Sequence, residues 1–251
     1  MAIGSARWED GPKSMRIAII SDIHANLEAL ESLPRDWDEL WVLGDLVNYG
    51  PSPSEAVEFV RRNAAVVIRG NHDDAIGAGR DPRCSGPFRE MARAMQAYTE
   101  ATLDEEQKAY LRALPLTVQK EIAGRRFFLC HAAPSDPLYQ YLPPDSARWP
   151  AEVSATPADI ILTGHTHLPF HRREGDRQIL NPGSVGQPKH GRPEACYAVW
   201  ENGTLSLRTN AYDFEATIRR LNALPVDPRI RLSLAHVLRN GGNGGLRTEQ
   251  P

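Results

Sequence analysis

Five short apolar runs in this chain each stop on residues that bind metal ions or transfer protons. RIAIISDIH (16–24) delivers Asp22 and His24, WVLGD (41–45) delivers Asp45, and VVIRGNHD (66–73) delivers Asn71 and His72. RFFLCH (126–131) delivers His131, and DIILTGHTH (159–167) delivers His165 and His167. One Asp after a strand is most often a turn former or a helix cap. Five such endings constrain the fold much further. Short apolar runs read as buried strands, and residues at strand ends converge on one site in a layered α/β fold. Asp45 reads as the carboxylate at the centre of that site, shared by two metal ions.

Helical patterns separate the runs. Leu27, Ala29 and Leu30 form one face before Pro34, and Ser54 reads as the N-cap of a helix whose apolar face is Ala56, Val57 and Val60. Residues 76–87 are rich in Gly, Pro and Arg and read as a surface loop. Thr102-Leu-Asp-Glu105 has the form of a capping box. Ala123-Gly124-Arg125 and Asn202-Gly203 read as hairpin turns. Strands alternating with helices indicate parallel pairing and an α/β class. Ala132–Pro157 carries six prolines and reads as too proline-rich for regular structure. A long loop directly after a site residue is often a lid or pocket wall, here bearing Tyr139, Tyr141 and Trp149; the alternative is a plain connector. The expected organisation is a loose extension over 1–14, one domain over 15–240 ending in helices from 213, and a disordered tail over 241–251.

Composition bounds the function. A chain of 251 residues, 41% apolar and 24% charged, can bury a substantial core. A net charge of −3 lacks the basic face that nucleic-acid binding requires, so no stable nucleic-acid complex is expected. Cys84, Cys130 and Cys196 form no CxxC pair or disulfide framework, which points to a reducing cytoplasm. Cys130, beside His131, reads as a small apolar strand residue rather than a nucleophile. No apolar stretch approaches the ~20 residues of a membrane span, and the N-terminus has no apolar core of a signal peptide. A homo-oligomer stays open.

Asp22-Ile-His24 and His165-Thr-His167 share an i, i+2 spacing. On extended backbone such pairs would point the same way, with Gly164 admitting the chain close to the site. Taken in order, DxH (22–24), GDxx (44–47), GNHD (70–73), the lone His131 and GHxH (164–167) resemble the motifs of the calcineurin-like metallophosphoesterase superfamily. Asn181-Pro182-Gly183-Ser184 is similar to a segment of its bacterial and archaeal phosphodiesterase branch, of YfcE and MJ type, and reads as a structural turn behind the site.

The resemblance implies a four-layer α/β/β/α sandwich. It assigns Asp22, His24, Asp45 and His167 to one metal, and Asp45, Asn71, His131 and His165 to the other. Two dications about 3.5–4 Å apart need a shared anion, which a carboxylate supplies. With no thiolate, the set suits Mn, Fe, Zn, Ni or Co. The implied reaction is hydrolysis of a phosphodiester in a small substrate, such as a nucleotide, by a metal-bridging hydroxide. Catalysis falls to Asp45, Asn71 and His72, with His72 contacting the phosphate and protonating the leaving oxygen; the alternative is a structural histidine. Substrate contacts are expected from Tyr49, Tyr139 and Tyr141.

Relatives that extend the second motif as GDxVDRG carry an Asp and an Arg where this chain has Asn48 and Tyr49. Asn48 removes the carboxylate that orients the catalytic histidine. Tyr49 removes a cation that grips a monoester, which favours diesters. The rival readings are a phosphomonoesterase or nucleotide polyphosphate hydrolase on the same scaffold, or a catalytically silent protein-binding platform.

Overall fold

Arg16–Ile20 (β1) carries the first apolar run, and its alternation sets the layering. Ile17 and Ile19 point to one side, where they meet Trp41 and Leu43 and, from a second sheet, Phe127, Leu129 and Ile160. Ala18 and Ile20 point to the other, against Ala29 and Leu30 of α1 (Leu27–Glu31) and Ala56, Val57 and Val60 of α2 (Pro53–Asn63). A period of two thus buries both faces of one strand in two different cores. This computed structural model describes residues 15–84 and 86–242.

The first sheet runs β10 (Thr204–Ala211), β9 (Glu194–Glu201), β1, β2 (Glu39–Val42), β3 (Val66–Val67). The second runs β4 (Thr117–Ile122), β5 (Arg125–Cys130), β6 (Ile160–Leu162), β8 (Arg177–Asn181), β7 (Phe170–Glu174). β1, β2 and β3 are parallel neighbours, as are β5, β6 and β8. Parallel strands end on the same edge, so the segments that follow them meet there. Trp41 sits edge-on to Phe127 at 5.4 Å, and Phe127 to Trp200 at 5.8 Å. Such pairs each contribute about 0.5–1.5 kcal/mol beyond area burial, and here they tie the two sheets together.

The outer face of the second sheet corrects one expectation. The proline-rich segment forms a helix, α6 (Trp149–Ala155), in its second half. Trp149 and Val153 cover Ile161 and Ile179, giving the α/β/β/α order. Pro150 lies in the first turn, where a missing N–H removes no intrahelical bond.

Two caps also differ from expectation. Ser52, not Ser54, is the N-cap of α2, with Pro53 opening the helix. The capping box of α5 (Glu105–Ala113) is Asp104 with Gln107, and Thr102 is the last residue of α4 (Pro87–Thr102). Asp104 has the shorter reach needed to accept the Gln107 N–H, at 2.8 Å.

α7 (Phe214–Asn222) and α8 (Pro228–Asn240) pack Ile218, Leu221, Leu234 and Leu238 onto Met91 and Met95 of α4. Gly241 and Gly242 are buried, and Gly241 ends α8, so neither belongs to the expected tail. The rest of that tail, 243–251, and the extension over 1–14 lie outside the described residues. No helix among the described residues is long and apolar enough to cross a membrane.

Candidate metal centre

The seven residues proposed as ligands meet at the shared strand edge, though not on extended backbone. Asp22, His24, Asp45, His165 and His167 all have positive φ, between 48° and 65°. The i, i+2 pairs therefore converge through left-handed turns just past the strand ends. Each such residue costs roughly 1 kcal/mol or more. The cost is offset by laying the loops side by side: Asp22 N–H donates to Gly44 O (3.0 Å), His24 N–H to Asp45 O (3.0 Å) and Ala25 N–H to Leu46 O (2.8 Å). Gly164 is needed for the approach, since a Cβ there would stand 2.0 Å from Ser21 Oγ and 2.9 Å from Asp22 Oδ2.

Two clusters result, each with donor atoms within 4.8 Å of one another: Asp22, His24 and His167, and Asp45, His131 and His165. The histidines are oriented through their backs. His24 Nδ1 donates to Val47 O (3.1 Å), His131 Nδ1 to Leu43 O (2.7 Å) and His167 Nδ1 to Gln187 O (2.6 Å). A carbonyl can only accept, so each Nε2 is turned into the site. Asn71 Oδ1 lies 3.0 Å from His131 Nε2 and 3.1 Å from His165 Nδ1, joining the second cluster. Its amide nitrogen donates to Pro82 O at 2.7 Å, which fixes the oxygen inward. Asp45 Oδ2 stands between the clusters, 3.2 Å from His131 Nε2 and 3.7 Å from His24 Nε2.

The electrostatics call for a cation. Burial pushes the imidazoles of His24 and His165 down to about 3 and that of His167 well below its ordinary value, so His24 and His167 turn two lone pairs on each other at 3.2 Å. Among the described residues, buried Asp22 Oδ1 has no hydrogen-bond partner. Burial pushes Asp22 up to about 7. At His131 burial opposes protonation, but Asp45 and Asp22 outweigh it and raise the imidazole to about 9. In return, His131 and His72 hold Asp45 well below the usual carboxylate range despite its burial. Nitrogen and oxygen donors aimed inward, with a proton standing in for positive charge, fit a divalent transition metal.

A cavity of about 370 Å³ opens over the clusters and is lined by Asp45, His72, His165 and His167. Residues 15–204 match the calcineurin-like phosphoesterase superfamily domain. The chain is a calcineurin-like phosphoesterase. It is 33% identical over 210 residues to MJ0912 of Methanocaldococcus jannaschii, covering 75% of this chain and 83% of that one. It is 29% identical over 202 residues to the phosphodiesterase YfcE of Escherichia coli K12, covering 77% and 91%. Its fold matches the crystal structure of a metallophosphoesterase from Sphaerobacter thermophilus with a TM-score of 0.77 at 32% identity, over 91% of this chain and 100% of that one. The superfamily hydrolyses phosphoric esters with divalent metals.

Several residues that hold this phosphoesterase site together had only faint signals in the sequence. Asp73, the last letter of GNHD, accepts the N–H groups of Asp45 (2.8 Å), Leu46 (2.8 Å) and Gly70 (3.0 Å), pinning the second motif to the third. It is the third residue of α3 (Asn71–Ala78), which extends into what composition assigned to a loop. Asn181 Nδ2 donates to Gly164 O and Ser184 Oγ to Asp22 O, so the Asn-Pro-Gly-Ser turn braces two ligand loops.

Asn48 orients His72 after all, with the hydrogen bond reversed. Its Oδ1 accepts from Tyr49 N–H (2.9 Å), which turns Nδ2 toward His72 Nδ1 at 2.8 Å and Ala92 O at 3.3 Å. An amide N–H donates where a carboxylate would accept. His72 therefore carries its proton on Nε2, and burial pushes its imidazole down to about 4.

Tyr49, Tyr139 and Tyr141 all line the cavity. Tyr49 is buried, its hydroxyl paired with Cys84 Sγ at 3.3 Å. Tyr139 is held by Asp74 (3.3 Å) and by the Arg83 guanidinium 4.0 Å from its ring centroid. Tyr141 is half exposed. The proline-rich segment is thus a packed wall. Burial pushes the Cys130 thiol far up, leaving no thiolate for a nucleophile. One lining residue no motif announced is Lys189.

Proposed function

We propose that the chain is a dinuclear, metal-dependent phosphodiesterase. The observation that carries this is the position of Asp45 Oδ2, within 4 Å of a histidine of each cluster. Asp22, His24 and His167 would hold one ion, and Asn71, His131 and His165 the other, with Asp45 common to both. Divalent ions bound there supply Lewis acidity toward a phosphoryl oxygen and acidify water to near neutral pH.

The chain's own residues do the rest. The backbone carbonyls of Val47, Leu43 and Gln187 fix the imidazole tautomers. His72 lines the cavity with a neutral Nε2–H that stands 3.4 Å from Cys84 Sγ, and a phosphoryl or leaving oxygen that replaced the weakly accepting thiol there would be stabilised by that hydrogen bond. Tyr139, Tyr141 and Phe88 give the cavity an aromatic side that can take a nucleobase or aryl group as a second ester substituent. Free Cys84, Cys130 and Cys196 support action in a reducing compartment such as the cytoplasm.

The test is the ratio of kcat/KM for bis-p-nitrophenyl phosphate and p-nitrophenyl phosphate, corrected for intrinsic reactivity. The diester is expected to be preferred with Mn, Fe, Zn, Ni or Co, and Tyr141→Ala should lower that preference. A native preference for the monoester refutes the diesterase reading.

Metal uptake should also release protons. His131, raised to about 9, is protonated at neutral pH and must lose its proton to ligate. Affinity should therefore rise with pH up to about 9, by about tenfold per pH unit for each proton released. Calorimetry in buffers of unlike ionisation heat measures the release directly. Equal heats in all buffers would show that His131 is not displaced.

A further inference from the structure

We propose that Lys189 is a substrate-binding residue that holds a non-bridging oxygen of the phosphoryl group; the inference rests on the phosphoesterase reading above. Lys189 lines the same cavity as Asp45, His72 and His167. Its ammonium stands 4.3 Å from the centroid of the Phe88 ring. Among the described residues it makes no ion pair or hydrogen bond. A half-buried ammonium without a hydrogen-bonding partner is costly, and the ring face recovers only part of that cost.

The nearby carboxylates cannot complete it in the working enzyme. Burial disfavours the Lys189 charge, and Asp22, Cys84 and Asp45 favour it; burial pushes the Cys84 thiol up to about 11, so it stays neutral, and both carboxylates are directed at the candidate metal positions. Two dications there carry four positive charges against the two carboxylates, so the loaded site repels Lys189 until an anion arrives. A phosphoryl group supplies that anion, and three rotatable ammonium donors suit its oxygens. Lys189 would then hold a non-bridging oxygen that a diester and a monoester both carry, from a loop outside the metal-binding motifs.

That loop is built to hold position. It joins β8 to β9, and its backbone packs on the end of α8. Gly191 N–H donates to Gly241 O at 2.7 Å, and a Cβ on Gly242 would stand 3.3 Å from Lys189 Cα. The C-terminal helices thus act as a brace for the cation as well as a cover for α4.

The experiment uses metal-loaded full-length protein and inorganic phosphate as the probe, with affinity measured by calorimetry in the absence of any ester. Lys189→Gln is expected to keep both metals and to weaken phosphate about ten- to a hundredfold, the range for a lost charge-assisted hydrogen bond. Lys189→Arg should recover most of the affinity, which a loss of fold would not allow. With ester substrates, KM should rise more than kcat falls. Unchanged phosphate affinity in Lys189→Gln, affinity lost only in step with metal content, or no phosphate binding by the native protein would each overturn the proposal. Native protein that binds phosphate through Lys189 but hydrolyses no ester would instead refute the phosphoesterase reading alone.

Discussion

Replacing Asp45 by alanine should lower the metal content of both positions together and remove turnover by at least ~10³-fold, since several kcal/mol of charge stabilisation leave with the ions. The shared placement of Oδ2 is the reason. Asp45 also accepts the His72 N–H through Oδ1 at 2.9 Å, so alanine would disturb the start of α3 as well. Asp45→Asn separates the two effects. It keeps an acceptor of the same shape and loses only the charge, and it should still empty both positions. Both variants should be less stable, because a buried His131 charge would lose its counter-ion, and the alanine variant more so, because the His72 N–H also loses its acceptor. Elemental analysis alongside thermal unfolding distinguishes these contributions. A variant that retains one full equivalent of metal would show that Asp45 serves a single ion.

His72→Ala should keep both metals and lose roughly 10²-fold in kcat, the lower end of what a positioned proton-transfer or hydrogen-bonding group contributes. The dependence on leaving group is the informative part. A histidine that delivers a proton to the departing oxygen matters little when that oxygen is already acidic, so its loss would shrink for activated aryl esters. Asn48 holds His72 in the neutral, Nε2-protonated form. A neutral imidazole donates a hydrogen bond without giving up its proton, so the loss should be similar across leaving groups. A loss that shrinks steeply with leaving-group acidity would restore the general-acid role. Asn48→Asp, which reverses the polarity of that hydrogen bond, should move the enzyme toward it.

Much of this site was legible in the order of the chain. Apolar runs that end on Asp, His or Asn have few uses, and five in one chain already imply parallel strands ending on a common edge. The candidate ligand residues follow from residue types that suit metals, taken together with the motif order that resembles the family's. What the motifs misrepresent is how they converge. The spacing in DxH and GHxH invites an extended reading, yet positive φ at Asp22, His24, His165 and His167 shows that turns aim them. Left-handed backbone at a non-glycine residue is sustained by its neighbours, here the hydrogen bonds from one loop to the next. No local pattern carries that information. The proline content of Ala132–Pro157 hid α6 (Trp149–Ala155) for a related reason. Proline discourages helix where it stands, but Trp149 is fully buried against the second sheet, and packing of that face decides the local structure.

Residue type and order alone determined the strand-and-helix alternation, the seven inward donors and the nitrogen–oxygen character of the metal site, because each depends on chemistry that travels with the residue. Tertiary structure alone decided which donors share a cluster, that Asp45 lies between the two, and that Asn48 donates to His72. It also decided that Lys189, which belongs to none of the motifs, reaches the same cavity. These depend on contacts between loops far apart in the chain, such as Asn26 to Gly186 and Ser184 to Asp22, and such contacts exist only once the chain has folded. A lysine is a solvated surface charge by default, and only the fold sets this one, half-buried, beside Phe88 and the candidate metal ligands.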